Sequence, residues 1–389
     1  MNFYKGEGLR QKKDAAGKYK EVEVKNLRLT TDKVKISRSY AGYVLVGRDG
    51  ANEKDEESGR RVVRAVNTAL VLGRPLLVSG EPGSGKTTLG HSISWELMKG
   101  IDPSLQDDPS ESGAILFVTK STSKASELFY EYDALSDFRN KDGSDRREYI
   151  RYTGLGLAIL LAMDKKTRSG YFPTNWLEDN DKFQTIDIGG SPVETLYGKN
   201  VAQRLRSDMA SQSVVIIDEV DKAPRDFPND LLHEINEMTF YVPEIKRTAP
   251  RPPDALRPIV VITSNSERQL PDAFLRRCAF IHIESPNGDT LKAILESRLG
   301  FMYGTLIRDI QDWYERDLSI KAGKLTKPVA TSELLEFCQA LYESGLDEHK
   351  DLTMQKDRIG DHLSLLGKTR EDSQKIKTLL DRYEGRVNA

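Results

Sequence analysis

The sequence predicts an α/β fold, a parallel sheet buried between helices, followed by an all-helical segment. Three observations predict it. A short apolar run, Pro75-Leu76-Leu77-Val78-Ser79, leads into a glycine loop and then into helix-period spacing over residues 86–99, which is how an α/β unit opens. Three more apolar runs, at 114–118, 213–217 and 259–263, are compact, rich in β-branched residues and unalternating. Strands buried on both faces of a parallel sheet read this way. After Pro286 such runs stop, and helical periodicity continues to the end of the chain.

In chain order, residues 1–50 form a basic N-terminal extension. Between Met1 and Tyr40 there are 11 Lys and Arg against 5 Asp and Glu. Val22 and Val24, then Leu27 and Leu29, alternate as short half-buried strands do. An α/β domain is expected over 51–285, opening with helical spacing at 62–70 ahead of the first strand. Residues 164–213 are polar and irregular, and read as an insertion around short elements. A short helical segment then ends in Arg276-Arg277. The helical domain covers 286–389, with patterns at 291–299, 306–314 and 332–342.

Composition narrows the class. The 389 residues leave room for two or three domains. With 38% hydrophobic and 30% charged residues, the chain buries a sizeable core beneath a polar surface, which excludes a disordered tail or a disulfide-stapled mini-domain. A net charge of -2 gives no electrostatic reason to expect nucleic acid as the main partner. Cys278 and Cys338 lie far apart with no metal-ligand spacing around them, so a reduced, cytoplasmic setting is expected. The longest apolar run, 155–163, is nine residues against the roughly 20 of a membrane span. No membrane insertion is expected.

Four motifs carry chemistry. Gly80-Glu81-Pro82-Gly83-Ser84-Gly85-Lys86-Thr87 is a full match to G-x-x-x-x-G-K-S/T, with a strand before it and a helix after it. Glycines let successive N–H groups converge on phosphate oxygens, and the following helix adds its positive dipole end. Lys86 would reach the β- and γ-phosphates, and the Thr87 hydroxyl would bind Mg²⁺. Val214-Val215-Ile216-Ile217-Asp218-Glu219 places two carboxylates at the C-terminal end of a strand, where ligands bind in parallel sheets. Asp218 would hold the magnesium shell through water, and Glu219 would polarise the attacking water as a general base. That pair favours hydrolysis over phosphoryl transfer to another acceptor.

Thr263-Ser264-Asn265 also ends an apolar strand, and the Asn265 amide could orient the lytic water or touch the γ-phosphate. Twelve residues on from Asn265, the pair Arg276 and Arg277 reads either as surface ion-pair residues or as an arginine finger acting in trans. The second reading requires a head-to-tail contact that closes into a ring. The guanine-reading sequence Asn-Lys-x-Asp is absent, since Asn140-Lys141-Asp142-Gly143 ends in glycine. ATP is therefore expected rather than GTP.

These four motifs, in this order, resemble the AAA+ ATPases, and within them the MoxR-like group. Three stretches carry the closer match: Ala65-Val66-Asn67-Thr68-Ala69-Leu70 ahead of Arg74 to Gly83, Ile217-Asp218-Glu219-Val220-Asp221-Lys222-Ala223-Pro224 into Asp226 to Leu232, and Thr263-Ser264-Asn265-Ser266-Glu267-Arg268 through Arg277-Cys278. The likeness covers roughly residues 60–370, with gaps. It implies a P-loop core with a five-stranded parallel sheet, a smaller helical lid, and magnesium-dependent ATP hydrolysis in a hexameric ring. It also implies remodelling or maturation of a protein client, often beside a partner bearing a von Willebrand factor A domain. Carried over by position, Gly80 to Thr88 resembles the nucleotide loop, Thr88 included, Asp218 and Glu219 the Walker B pair, and Asn265 sensor 1. Arg277 resembles the finger, with Arg276 the neighbouring candidate. The chain departs from the family pattern in its 164–213 insertion. It also lacks a clear sensor-2 arginine, with Lys327 lying where that element belongs.

Two other function classes compete. A nucleic-acid-stimulated motor of a restriction or defence system would use the same core, supported by the basic first forty residues alone. A nucleotide-switched assembly scaffold would assemble when ATP is bound and turn over slowly, and the complete Asp-Glu pair weighs against a purely static binder.

Overall fold

The computed structural model describes residues 53–101, 112–139, 145–173, 187–188, 191–192, 197–300 and 304–385. The N-terminal extension with its two expected strands, and part of the expected insertion, lie outside the described residues. The chain divides into two compact units, the first carrying Arg61–Ser79 and Lys86–His282, the second carrying Gly80–Gly85 and the residues from Ile283 onward.

Eleven strands occur among the described residues: β1 (Leu76–Gly80), β2 (Ile115–Val118), β3 (Tyr130–Tyr132), β4 (Ile150–Tyr152), β5 (Asp187–Ile188), β6 (Ser191–Pro192), β7 (Val214–Asp218), β8 (Phe240–Val242), β9 (Arg247–Ala249), β10 (Ile259–Ser264) and β11 (Ala279–Ile283). Five make one sheet in the order β11-β1-β10-β7-β2. The pairs β1–β10, β10–β7 and β7–β2 are parallel, with Leu76 opposite Val261, Ile259 opposite Val214, and Ile115 opposite Val215. The rest form two-stranded antiparallel pairs, β3–β4, β5–β6 and β8–β9.

The central strands form because their side chains have apolar neighbours above and below. All of β1 is buried, and so is β7 up to Ile217. Each fully buried Val, Leu or Ile contributes about 1.5–3 kcal/mol. Helix α1 (Glu53–Leu72) precedes β1, and α2 (Lys86–Ile101) packs on β7 and β10. Helix α3 (Gly154–Leu161) coincides with the longest apolar run, has all eight residues buried, and packs on β2 and β7. The run is a core helix. Helix α4 (Lys199–Arg206) carries the buried Arg204, which ties the chain ahead of β2 to the chain ahead of β7. Arg204 donates to the Gly113 and Gln212 carbonyls and to the Ser211 and Ser213 hydroxyls. Burial pulls its guanidinium down to about 10. Helix α5 (Phe227–Glu237) buries Phe227, Leu231, Leu232 and Ile235.

Two strand expectations are corrected. Burial of 114–118 on both faces does not hold: Leu116 and Val118 are 45% and 49% exposed, alternating with buried Ile115 and Phe117. β2 is the last strand of the sheet, and its Leu116 face is open among the described residues. β11 was not anticipated from the sequence, because Ala279-Phe280-Ile281-His282-Ile283 is short, interrupted by a histidine, and buries only Ile281. It joins β1 through the Ala279 N–H on the Pro75 carbonyl (2.9 Å) and a Ser79–His282 hydrogen bond (2.8 Å).

The second unit is helical beyond β11, with α6 (Gly288–Leu299), α7 (Thr305–Trp313), α8 (Thr331–Glu343) and α9 (Arg370–Asp381). Their apolar faces meet around Leu295, Trp313, Leu334, Phe337 and Leu380. The carboxylate of Asp372, in the first turn of α9, accepts the Thr326 and Lys327 N–H groups (2.9 and 3.0 Å). Lys327 itself is exposed. Each core carries one buried thiol, Cys278 in the first and Cys338 in the second, and burial pushes both up to about 12. No described helix is long and apolar enough to cross a membrane.

Candidate active site

The site forms where β7 and β10 end side by side. Parallel strands present their carboxyl ends to the same edge, which is where such sheets take ligands. The register sets Ile262 opposite Ile217, so the next residues, Thr263 and Asp218, are neighbours. Thr263 is fully buried, and its hydroxyl donates to Asp218 Oδ1 at 2.6 Å. The Thr87 hydroxyl, from the first turn of α2, donates to the same oxygen at 2.7 Å. Asp218 Oδ2 accepts nothing from the described residues. The Glu219 N–H donates back to Thr263 Oγ1 at 2.9 Å, so one hydroxyl fixes both the acid and the backbone after it.

Glu219 ends the strand abruptly. It takes a left-handed backbone (φ 57°, ψ 51°), a conformation costing a non-glycine residue about 1–2 kcal/mol. A single-turn helix, Val220–Lys222, follows. The geometry brings Glu219 Oε1 to the Asn265 amide, whose Nδ2 donates at 3.0 Å, and Oε2 to Lys222 Nζ at 2.6 Å. Hydrogen bonding to Glu219 raises the Lys222 ammonium above its usual value. Asp221, buried in the same turn, accepts the Asn265 N–H (3.2 Å) and the Glu267 N–H (3.0 Å). Between these two donors Ser266 is left-handed as well (φ 60°). The buried Asp221 carboxylate thus fixes the turn that carries Asn265.

The glycine loop joins β1 to α2. Glu81, Pro82 and Gly83 are exposed, Ser84 and Gly85 half-buried. Two of its glycines are required by space as well as by conformation. Gly80 (φ 157°) has the Ile283 carbonyl oxygen where a Cβ would stand, and at Gly83 (φ 75°) a Cβ would come within 2.9 Å of Ala330 Cβ and Ser332 Oγ. Lys86 opens α2 and is only 6% exposed, while Thr87 and Thr88 are half-buried. A lysine buried at the head of a helix, beside N–H groups left over by the first turn, has the sign and the donors that an anion needs.

Of the residues singled out from sequence, Thr87, Asp218, Glu219 and Asn265 are brought into one hydrogen-bonded set. Arg276 and Arg277 are not joined to it. Both are exposed just after the short helix Asp272–Leu275; their N–H groups cap it on the Asp272 and Phe274 carbonyls, while neither guanidinium makes a hydrogen bond or ion pair with a described residue. Exposed Leu275 and Phe280 flank them. Thr263, Asp221 and Lys222 hold the set together, and sequence reasoning gave none of them a role. No sequence signal marked them: Thr263 stands opposite Asp218 only through strand register, and Asp221 and Lys222 fall in a turn whose direction the backbone at Glu219 sets. The oxygens at this site, a carboxylate and a threonine hydroxyl, are the hard donors that suit Mg²⁺.

No protein-family model and no curated protein matches the sequence. Among solved structures, the chain is similar to one described as the S. cerevisiae Hsp104-ADP complex, at 15% sequence identity and a TM-score of 0.36. The match covers 75% of this chain and 47% of that one, so this chain spans about half its length.

Proposed function

We propose that this chain is a magnesium-dependent ATPase of the AAA+ class. The observation that carries the reading is the set Thr87–Asp218–Thr263 joined to Glu219–Asn265, at the carboxyl ends of adjacent parallel strands and following a complete phosphate-loop motif. In this reading the N–H groups of Gly80 to Thr88 and the Lys86 ammonium bind the triphosphate. Thr87 and Asp218 hold the magnesium ion, which when bound neutralises charge on the phosphate oxygens. Glu219 takes the proton from the attacking water, and Asn265, positioned through Asp221, orients it.

The finer points rest on the motif resemblance. The working form is a ring, six-membered in the MoxR-like pattern, in which Arg277, or Arg276 beside it, completes the neighbouring protomer's site. The work driven is remodelling or maturation of a protein client in the cytoplasm, with a von Willebrand factor A domain protein as a companion.

The test is Glu219→Gln. The variant should keep ATP binding with magnesium and lose turnover by about 10²–10⁴-fold, the range a positioned general base supplies. Radiolabelled-nucleotide retention and phosphate release measure the two halves. Wild-type phosphate release by this variant would remove the mechanism.

A further inference from the structure

The turn after β7 holds one charged contact that the proposed reaction has no need of. Lys222 Nζ lies 2.6 Å from Glu219 Oε2, three residues back in the same turn. The other carboxylate oxygen, Oε1, accepts the Asn265 amide at 3.0 Å. Both oxygens of the reading's general base are therefore engaged at once, one by a neutral amide and one by a full positive charge.

The two partners differ in how readily they leave. The Asn265 backbone is pinned by the buried Asp221 carboxylate, which fixes where its side chain starts. The Lys222 side chain is 44% exposed, stands on a flexible four-carbon stem, and makes no ion pair with any other described residue. The left-handed backbone at Glu219 and the helical turn behind it set the carboxylate and the ammonium face to face. A carboxylate can accept a proton from water only by turning a lone pair toward it, and one held between an amide and an ammonium is constrained in that motion and electrostatically satisfied.

We propose that Lys222 is a restraining residue: its ion pair holds the Glu219 carboxylate in a resting orientation that must part before water is activated. The proposal rests on the reading of Glu219 as the base. Lys222 is a positioning residue in this scheme, acting on the reaction only through Glu219. Because the ammonium faces solvent, an acidic group of a bound client or of another copy of the chain could compete for it and raise turnover.

The experiment is steady-state ATP hydrolysis by the full chain. Lys222→Met should raise kcat by about two- to fivefold, the span that an exposed ion pair can contribute to a barrier, and leave KM for ATP unchanged. Lys222→Arg, able to remake the pair, should bring the rate back toward wild type. In the Glu219→Gln background Lys222→Met should add nothing. Lys222→Gln serves as a second neutral variant should the methionine at this exposed position cause association. A neutral variant with the wild-type melting temperature and a kcat equal to or below wild type overturns the restraint. The two readings separate cleanly: if Glu219→Gln is inactive and Lys222→Met is no faster, only the restraint fails, whereas an active Glu219→Gln removes the base and the restraint together.

Discussion

Asp221 shows how much of this site depends on one side chain outside the familiar motif. Its carboxylate takes two backbone N–H groups across a left-handed residue, and a hydrogen bond to a charged group contributes about 1.5–3 kcal/mol. Asp221→Ala should therefore lower thermal stability and, in the proposed reaction, reduce kcat more than it weakens ATP binding, because Asn265 loses its fixed origin. Melting curves beside nucleotide titrations and rate measurements check this, and a variant that melts early but turns over normally would reduce Asp221 to a packing role. Asp218, Glu219 and Asn265 were legible in the sequence because each follows an apolar strand within a short, recognisable string. Thr263, Asp221 and Lys222 were not, because their partners are set by strand register and by the sign of φ at Glu219 and Ser266. Neither quantity is written in residue type.

At the level of elements, legibility followed burial. β1, β7 and β10 have apolar neighbours on both faces and announced themselves as unbroken apolar runs. β11 and the two-stranded pairs β3–β4 and β8–β9 are partly exposed or short, so their patterns stand out little from the loops around them. β2 was found, but its burial was misjudged, since a run of four apolar residues reads the same in the middle of a sheet as at its end. Helix α9 makes a testable case for local electrostatics. Burial alone would raise the Asp372 carboxyl, yet hydrogen bonds from the Thr326 and Lys327 N–H groups and from Thr369 outweigh it and hold the carboxyl below its ordinary value. A carboxylate depressed in the folded state stabilises above its unfolded value and loses that contribution as pH falls through the folded one. The melting-temperature gap between wild type and Asp372→Asn should accordingly be widest at neutral pH and close as pH falls below about 4. A gap that stays constant into acid would show that the carboxylate charge is not what holds the 326–327 segment.

On the scale of the whole molecule, the proposed arrangement has one strong consequence. Glu219 and the exposed Arg277 serve different sites if the arginine is donated across protomers. Arg277→Ala should bind ATP and turn over poorly, as should Glu219→Gln. Mixing the two inactive proteins should restore phosphate release, because an arginine-deficient protomer then receives its arginine from a glutamine-bearing neighbour. Mixed samples that stay as inactive as their parents would exclude donation by Arg277, and the same mixing with Arg276→Ala tests the adjacent candidate. The presence of an α/β part and a helical part was visible in the sequence as a change of hydrophobic period. The grouping of Gly80–Gly85 with the helical unit was not, since it depends on the approach of Gly83 to Ala330 and Ser332.

The two cysteines give this architecture an unplanned convenience. One sulfur is sealed in the sheet core and the other in the helical core, and neither is poised to ionise near neutrality. A reagent that captures thiolates therefore has to wait for its own half of the molecule to breathe. The native chain carries a separate chemical clock in each half, with no label introduced and no residue changed.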